Sequence, residues 1–359
     1  LVVGVVDFER IPTVPTADEV LDRSFRRAAA KMRTKTNKDR ANEDFVRAVS
    51  SAVHDKLVHV IQSFPVFEDQ PPFYRDTVEA LFGIERLKMA LGNVGWAAMH
   101  TKRMGFEHGG RRIRRAEDTA AVRKRAVARI ASIVHQINKD LLFLNVARNV
   151  LRKLPDVKDN EFTVVIAGYP NVGKSSFIRL VSSAEPEIAS YPFTTKGVIL
   201  GHHYDGRHRI QFLDTPGLLN RPEEERNAVE EQAIAAIVNS AHLILFILDP
   251  SEYCGYPIED QHNLLEAIRV LADVPILVVA NKADIRAGEE GMLSMSTATR
   301  EGVDTVLAEI LSHYHEPAPA PAQGAAEEES EDGTAVEGRE SGLWTAGEDE
   351  LEEDGHTDD

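Results

Sequence analysis

A short apolar run that ends in a glycine-rich turn constrains this chain more than any other feature. Phe162 to Ala167 (FTVVIA) leads directly into GYPNVGKS, Gly168 to Ser175. Such a run opening onto such a turn predicts a buried parallel strand. The turn itself fits G-x-x-x-x-G-K-[ST], the phosphate-binding loop. Small residues are needed there because backbone N–H groups wrap the phosphates, helped by the N-terminus of the next helix. Gly168, Asn171, Val172, Gly173, Lys174, Ser175 and Ser176 are therefore candidate phosphate contacts. Lys174 is expected to neutralise the β- and γ-phosphates, and Ser175 to ligate Mg²⁺.

Two further motifs follow in order. DTPG, Asp214 to Gly217, closes a predicted strand, with Asp214 placed to hold Mg²⁺ through water and the Gly217 N–H to meet the γ-phosphate. NKAD, Asn281 to Asp284, follows the apolar run Pro275–Ala280. The Asp284 carboxylate can accept from N1–H and N2–H₂ of guanine. Adenine lacks that donor pair, and an unsatisfied carboxylate is costly, so one side chain selects GTP over ATP. Asn281 is expected to bind the base edge or brace the phosphate loop, and the Lys282 stem to cover the purine face. Ser296, in LSMSTA, stands where a backbone N–H could reach the guanine oxygen. Between the loop and DTPG lies YPFTTKG, where a threonine should close over the γ-phosphate and complete the Mg²⁺ shell. Thr195 is the choice and Thr194 the alternative.

Around these motifs, apolar runs at Ile210–Leu213, His242–Leu248 and Pro275–Ala280 alternate with helix-like segments. That pattern predicts a doubly wound, mostly parallel α/β sheet. Val198–Tyr204 and His208–Leu213, separated by Asp205-Gly206, read instead as an antiparallel hairpin. The first ~150 residues read as helices. Phe45, Val49, Val53, Leu57, Val60 and Ile61 form one amphipathic stripe, broken by a linker with Pro65, Pro71 and Pro72. A third helical segment covers about Thr77 to Phe106, and a fourth runs unbroken from about Glu117 to Lys153. An antiparallel bundle is expected. The domains are thus 8–155, a helical bundle; 160–315, an α/β P-loop GTPase domain; and 316–359, a disordered acidic tail.

Charge divides the chain at the same place. Residues 1–160 hold 29 Lys and Arg against 20 Asp and Glu, whereas residues 161–359 hold 12 against 38. A basic half on an acidic protein points to a polyanionic partner. Arg111, Arg112, Arg114, Arg115, Arg123, Lys124, Arg125 and Arg129 cluster at a loop and helix start and are candidate RNA contacts. Lys31, Arg33, Lys35, Lys38 and Arg40 form a second group. The acidic remainder fits either a high-salt cytoplasm or a plain acidic tail. Near 1 M salt the Debye length is only ~3 Å, so arginine forks at contact range would carry the binding. A single cysteine, Cys254, fits a reducing cytoplasm. No apolar run is long enough for a membrane span, and LVVGVV is too short for a signal-peptide core. The chain opens on Leu1, so the true start is expected elsewhere.

GYPNVGKSS, YPFTTKG and DTPGLL together resemble the Obg-related branch of translation-associated GTPases. RPEEERNAVEEQAIAAI and DPSEYCGYPIEDQ are similar to the ribosome-assembly GTPases typified by nucleolar GTP-binding protein 1. The resemblance covers roughly residues 8–315. It implies GTP and GDP as ligands, Mg²⁺ as cofactor, and a maturing large ribosomal subunit, rRNA and ribosomal proteins, as partner; no membrane or DNA partner is expected. Eukaryotic relatives carry a long basic extension after the GTPase domain, where this chain has its acidic tail, so functions of that extension are not carried over. After DTPG stands Leu218, which cannot orient water, so slow intrinsic hydrolysis is expected. In related GTPases an asparagine at the place of Asn171 ligates K⁺, which makes Asn171 a candidate K⁺ site. Two rivals stay open: a regulatory switch directed at proteins, and a slow-hydrolysing scaffold that keeps GTP bound. Cys254 is read as structural, and His202, His203 and His208 as turn-flanking residues without a ligand role.

Overall fold

The structure, a computed structural model, describes residues 8–32, 37–108, 118–158, 160–189, 191–192, 197–206, 208–214 and 228–315. All of these fall in one compact unit, Leu1–Ala320, and the tail expected to be disordered lies outside them.

Six helices among the described residues build the first half: α1 Ala17–Met32, α2 Lys38–Ser63, α3 Pro72–Phe82, α4 Ile84–His108, α5 Thr119–Gln136 and α6 Asn138–Leu151. The stripe read from the sequence is the buried face of α2, with Val49, Val53, Leu57 and Val60 out of solvent. It packs on α4, where Leu87, Ala90, Val94, Ala97 and Ala98 are buried. The close approach is fixed by Ser50, whose hydroxyl donates to Thr101 O at 2.8 Å. Asn37 starts α2 by accepting the Arg40 N–H at 3.0 Å, and Asp118 starts α5 by accepting from Ala120 and Ala121.

Two expected helices are each divided. The third segment breaks at Gly83, whose φ of 71° is left-handed and ends α3 before α4 begins. The fourth breaks at Ile137, between α5 and α6. Asn138, just past the break, accepts the Ala17 N–H at the start of α1 at 2.9 Å. The apolar stripe continues across both breaks, so periodicity alone could not show them.

The second half begins at β1, Phe162–Ala167, buried at every position. Then follow α7 Lys174–Val181, β2 Glu187–Ala189, β3 Val198–Tyr204, β4 Arg209–Asp214, α8 Ala228–Asn239, β5 Leu243–Leu248, α9 Ile258–Leu271, β6 Ile276–Ala280, β7 Leu293–Ser294 and α10 Val303–Ser312. The sheet order is β2-β3-β4-β1-β5-β6-β7. β4, β1, β5, β6 and β7 run parallel, and β3 pairs antiparallel with β2 and β4, giving the expected hairpin. In such sheets ligands bind beyond the carboxyl ends of the parallel strands, and the strand ends at Ala167, Asp214, Leu248 and Ala280 converge there. β2 and β7 are too short to give a strand signal in the sequence.

Candidate nucleotide site

β1 ends at Ala167 and α7 starts at Lys174, so the glycine-rich loop joins a strand end to a helix N-terminus, as the phosphate-loop reading requires. Gly173 is left-handed at φ 108°, and a Cβ there would stand 2.1 Å from Asn281 Nδ2. That closeness exists because Asn281 ties two loops together. Its Nδ2 donates to Val172 O at 2.6 Å, and its Oδ1 accepts the Thr297 N–H at 2.9 Å. Of the two roles considered for Asn281, the structure displays the bracing one. Asn171, at φ 62°, is exposed and makes no side-chain hydrogen bond among the described residues. Ser176 is also exposed on the first turn of α7.

Lys174 is buried, and its ammonium donates to Gly168 O and Tyr169 O, both at 2.8 Å. The charge is thereby held within the loop. One turn on, the Ser175 hydroxyl donates to Asp214 Oδ2 at 2.8 Å. Asp214 is buried at the end of β4, and its Oδ1 has no hydrogen-bond partner among the described residues. Burial pushes the carboxyl up from the ordinary range, opposed by the Lys174 charge and the Ser175 hydrogen bond. A buried carboxylate with an unpartnered oxygen, beside a hydroxyl at a helix N-terminus, suits a small hard cation that takes oxygen ligands. Ser175 and Asp214 therefore fit Mg²⁺.

At the guanine end, Lys282 is left-handed at φ 60° and donates to Asp249 Oδ2 at 2.7 Å. Asp249, fully buried at the end of β5, also accepts from the Ser251 N–H and hydroxyl and from the Cys254 N–H. Burial alone would raise its carboxyl; the bonds from Lys282, Ser251 and Cys254 outweigh this and hold it below the usual range. The anchor fixes the course of the Lys282 stem, and the Tyr253 ring lies 5.1 Å from the ammonium. Asp249 was not singled out in the sequence. The available signal was an acidic residue directly after LILFIL, on the strand whose Leu248 pairs with Ala280 just before NKAD. Asp284 is exposed, and its carboxylate makes no hydrogen bond among the described residues.

Ser296 departs from expectation. Its N–H donates to Glu301 O at 2.8 Å, while its hydroxyl accepts from Ala298 and Thr299. The buried serine shapes its loop and offers no free backbone donor. Gly217, Thr195 and the alternative Thr194, Leu218, Arg111, Arg112, Arg114 and Arg115 lie outside the described residues.

On the bundle, Lys124, Arg125 and Arg129 are exposed along α5 and unpaired among the described residues. Arg123 is different. It donates to Asn42 Oδ1 at 2.9 Å and lies over the Phe45 ring at 5.5 Å, so it joins α5 to α2. The three histidines have separate partners: His202 meets Glu161, His203 meets Val181 O and His208 meets Asp205. Cys254 is buried beside Gln261.

Comparison with known proteins places both halves. The family model described as NOG1 N-terminal helical domain matches residues 8–158, and the one described as 50S ribosome-binding GTPase matches residues 163–282. An uncharacterised protein of Methanocaldococcus jannaschii is 45% identical over 289 residues, covering 77% of this chain and 81% of that protein. Nucleolar GTP-binding protein 1 of Drosophila melanogaster is 33% identical over 296 residues, covering 79% of this chain and 45% of that protein. Its counterpart in Arabidopsis thaliana is 32% identical over 339 residues, covering 84% and 50%. The chain thus spans about half the length of these nucleolar relatives.

Proposed function

The chain belongs to the nucleolar GTP-binding protein 1 family of Obg-related GTPases, and on that premise we propose that this GTP-binding protein is a GTP-hydrolysing assembly factor that docks on the rRNA of a maturing large ribosomal subunit in the cytoplasm. One observation carries the reading: the same compact unit joins a guanine-nucleotide site to a bundle whose α5 presents Lys124, Arg125 and Arg129 exposed and, among the described residues, unpaired. Unpaired cations on a basic half of an acidic chain are the footprint of a phosphate backbone.

The residues divide the work. The loop from Gly168 to Gly173 supplies backbone N–H groups for the phosphates, and Asn281 keeps that loop in register with the base-binding segment. Asp284 reads guanine, and Lys282, anchored on Asp249, covers the base. Ser175 and Asp214 would hold Mg²⁺, which when bound supplies positive charge against the phosphates. Leu218 cannot orient water, so hydrolysis is slow until the subunit or a cation supplies what is missing. Asn171 supports K⁺ in that role, because bracing the loop falls to Asn281 and the Asn171 side chain makes no hydrogen bond among the described residues.

Single-turnover hydrolysis, measured with and without purified large-subunit precursors in KCl and in NaCl, tests this. The expected result is stimulation by the precursors, larger in KCl. Rates equal in the two salts would remove the K⁺ role. Rates unchanged by precursors would favour a scaffold that keeps its GTP.

A further inference from the structure

Tyr191 lies on the segment between β2 and β3, yet its partners belong to the helical bundle. Its side chain is 1% exposed. The ring stacks on Phe73 of α3, centroids 6.3 Å apart and planes at 24°, and its hydroxyl is 3.3 Å from Thr77 Oγ1 on the same helix. Burial pushes the Tyr191 hydroxyl up to about 12, so it stays neutral and able to hydrogen-bond. Phe73 and Thr77 are themselves buried. The next residue of α3, Tyr74, donates to Pro155 O at 3.0 Å, at the end of the bundle.

α3 also packs against α8. In the sequence, α8 is the first described helix after DTPG, and Tyr191 opens YPFTTKG. One helix of the bundle therefore touches both stretches of chain that flank the phosphate-sensing motifs. A slide of α3 against the segment that carries Tyr191 would break the hydrogen bond between the buried hydroxyls of Tyr191 and Thr77. Contacts of this kind favour two discrete arrangements over a continuum.

We propose that Tyr191, seated on Phe73 and Thr77, is a positioning residue through which α3 couples the nucleotide bound by the GTPase domain to the helical bundle. The proposal rests on the GTPase reading above. Coupling is reciprocal: the bundle, acting through α3, also sets the preference for GTP over GDP.

The test uses the full chain and three variants, Tyr191→Phe, Thr77→Val and Tyr191→Ala. The first keeps the ring on Phe73 and removes the hydroxyl; the second removes its partner. Thermal melts identify any variant that is merely unfolded, and the two conservative variants carry the test if Tyr191→Ala is. Affinities for GDP and a non-hydrolysable GTP analogue are measured, with hydrogen–deuterium exchange over Pro72–Phe82. In the wild type, exchange in α3 should differ between the two nucleotides. In Tyr191→Ala that difference should vanish, and the preference for the GTP analogue should fall by about tenfold, within the usual range of coupling between sites. Tyr191→Phe and Thr77→Val should move both readouts in the same direction by less. Equal exchange in both states of the wild type overturns the proposal, as does a parallel loss of affinity for both nucleotides in the variants. A wild type that bound no guanine nucleotide would instead overturn the GTPase reading itself.

Discussion

The Ser175 hydroxyl and the Asp214 carboxylate, 39 residues apart in the chain, meet at 2.8 Å at the start of α7 and the end of β4. The second Asp214 oxygen is buried without a partner among the described residues. Leaving a buried carboxylate half satisfied is costly unless a ligand completes it. The pair is thus a site whose energetics favour a cation.

Ser175→Ala should therefore weaken GTP binding roughly tenfold in Mg²⁺, the size of one hydrogen bond to a charged group. In EDTA the variant and wild type should bind alike. Titration of a fluorescent GTP analogue with and without Mg²⁺ reads both. A variant that keeps the full Mg²⁺ effect would remove Ser175 from the metal site.

The Lys282–Asp249 pair makes a different prediction, on stability. Lys282 is 17% exposed at the side chain and Asp249 is fully buried. Removing one partner strands the other charge, which costs about 3 kcal/mol. Asp249→Ala should lower the free energy of unfolding by that order in urea titrations at neutral pH, and weaken guanine binding because the Lys282 stem loses its anchor. A variant of unchanged stability would show that the pair contributes nothing net.

His242 predicts the pH response. Its Nδ1 accepts the Thr163 N–H at 3.0 Å, and its ring faces Phe162 and His315. Burial, then the His315 charge, holds it below the ordinary histidine value. Its proton therefore binds first to the unfolded chain. The His242 contribution is complete above about pH 6.5 and is lost as pH falls from there toward the depressed folded value. His242→Asn retains an acceptor for Thr163 and should flatten the part of the stability–pH profile below pH ~6.5. The same slope in variant and wild type would assign the effect elsewhere.

On the proposed function, the exposed basic residues of α5 and Arg123 should respond differently to substitution. Replacing Lys124, Arg125 and Arg129 with Ala should weaken rRNA binding at every sequence and reduce the salt slope by about two to three units, one per lost phosphate contact. Arg123→Ala should instead cost stability, since Arg123 bonds to Asn42. Filter binding across a salt series, with urea titrations of both variants, distinguishes the two outcomes. An unchanged slope for the triple variant would place the RNA contacts elsewhere.

Much of the site was legible because its chemistry is local in sequence. GYPNVGKS and NKAD each sit at the end of an apolar run, so the strand period and the motif point to one place. The positions of β1 and of the β3–β4 hairpin follow from the same runs. What escaped depends on contacts distant in the chain. Asn281 could not be assigned to bracing until Val172 was seen beside it, 109 residues away. The bond from Arg123 to Asn42, 81 residues away, could not be read from the basic cluster in which Arg123 stands. The Ser296 N–H is taken by Glu301, a short loop bond that no motif records. The helix breaks at Gly83 and Ile137 were hidden by an apolar stripe that continues through them.

The central claim is GTP-gated docking on the large subunit, and Asp284 offers the most direct test of it. In Asp284→Asn the side chain can donate to the C2 carbonyl of xanthine, so the variant should exchange guanine for xanthine nucleotides. Sedimentation with large-subunit precursors should then show the wild type comigrating with a GTP analogue and not with GDP. The variant should comigrate only with the xanthosine analogue. Protein that stays at the top of the gradient with every nucleotide would contradict the ribosomal reading, and comigration independent of nucleotide would contradict the gate.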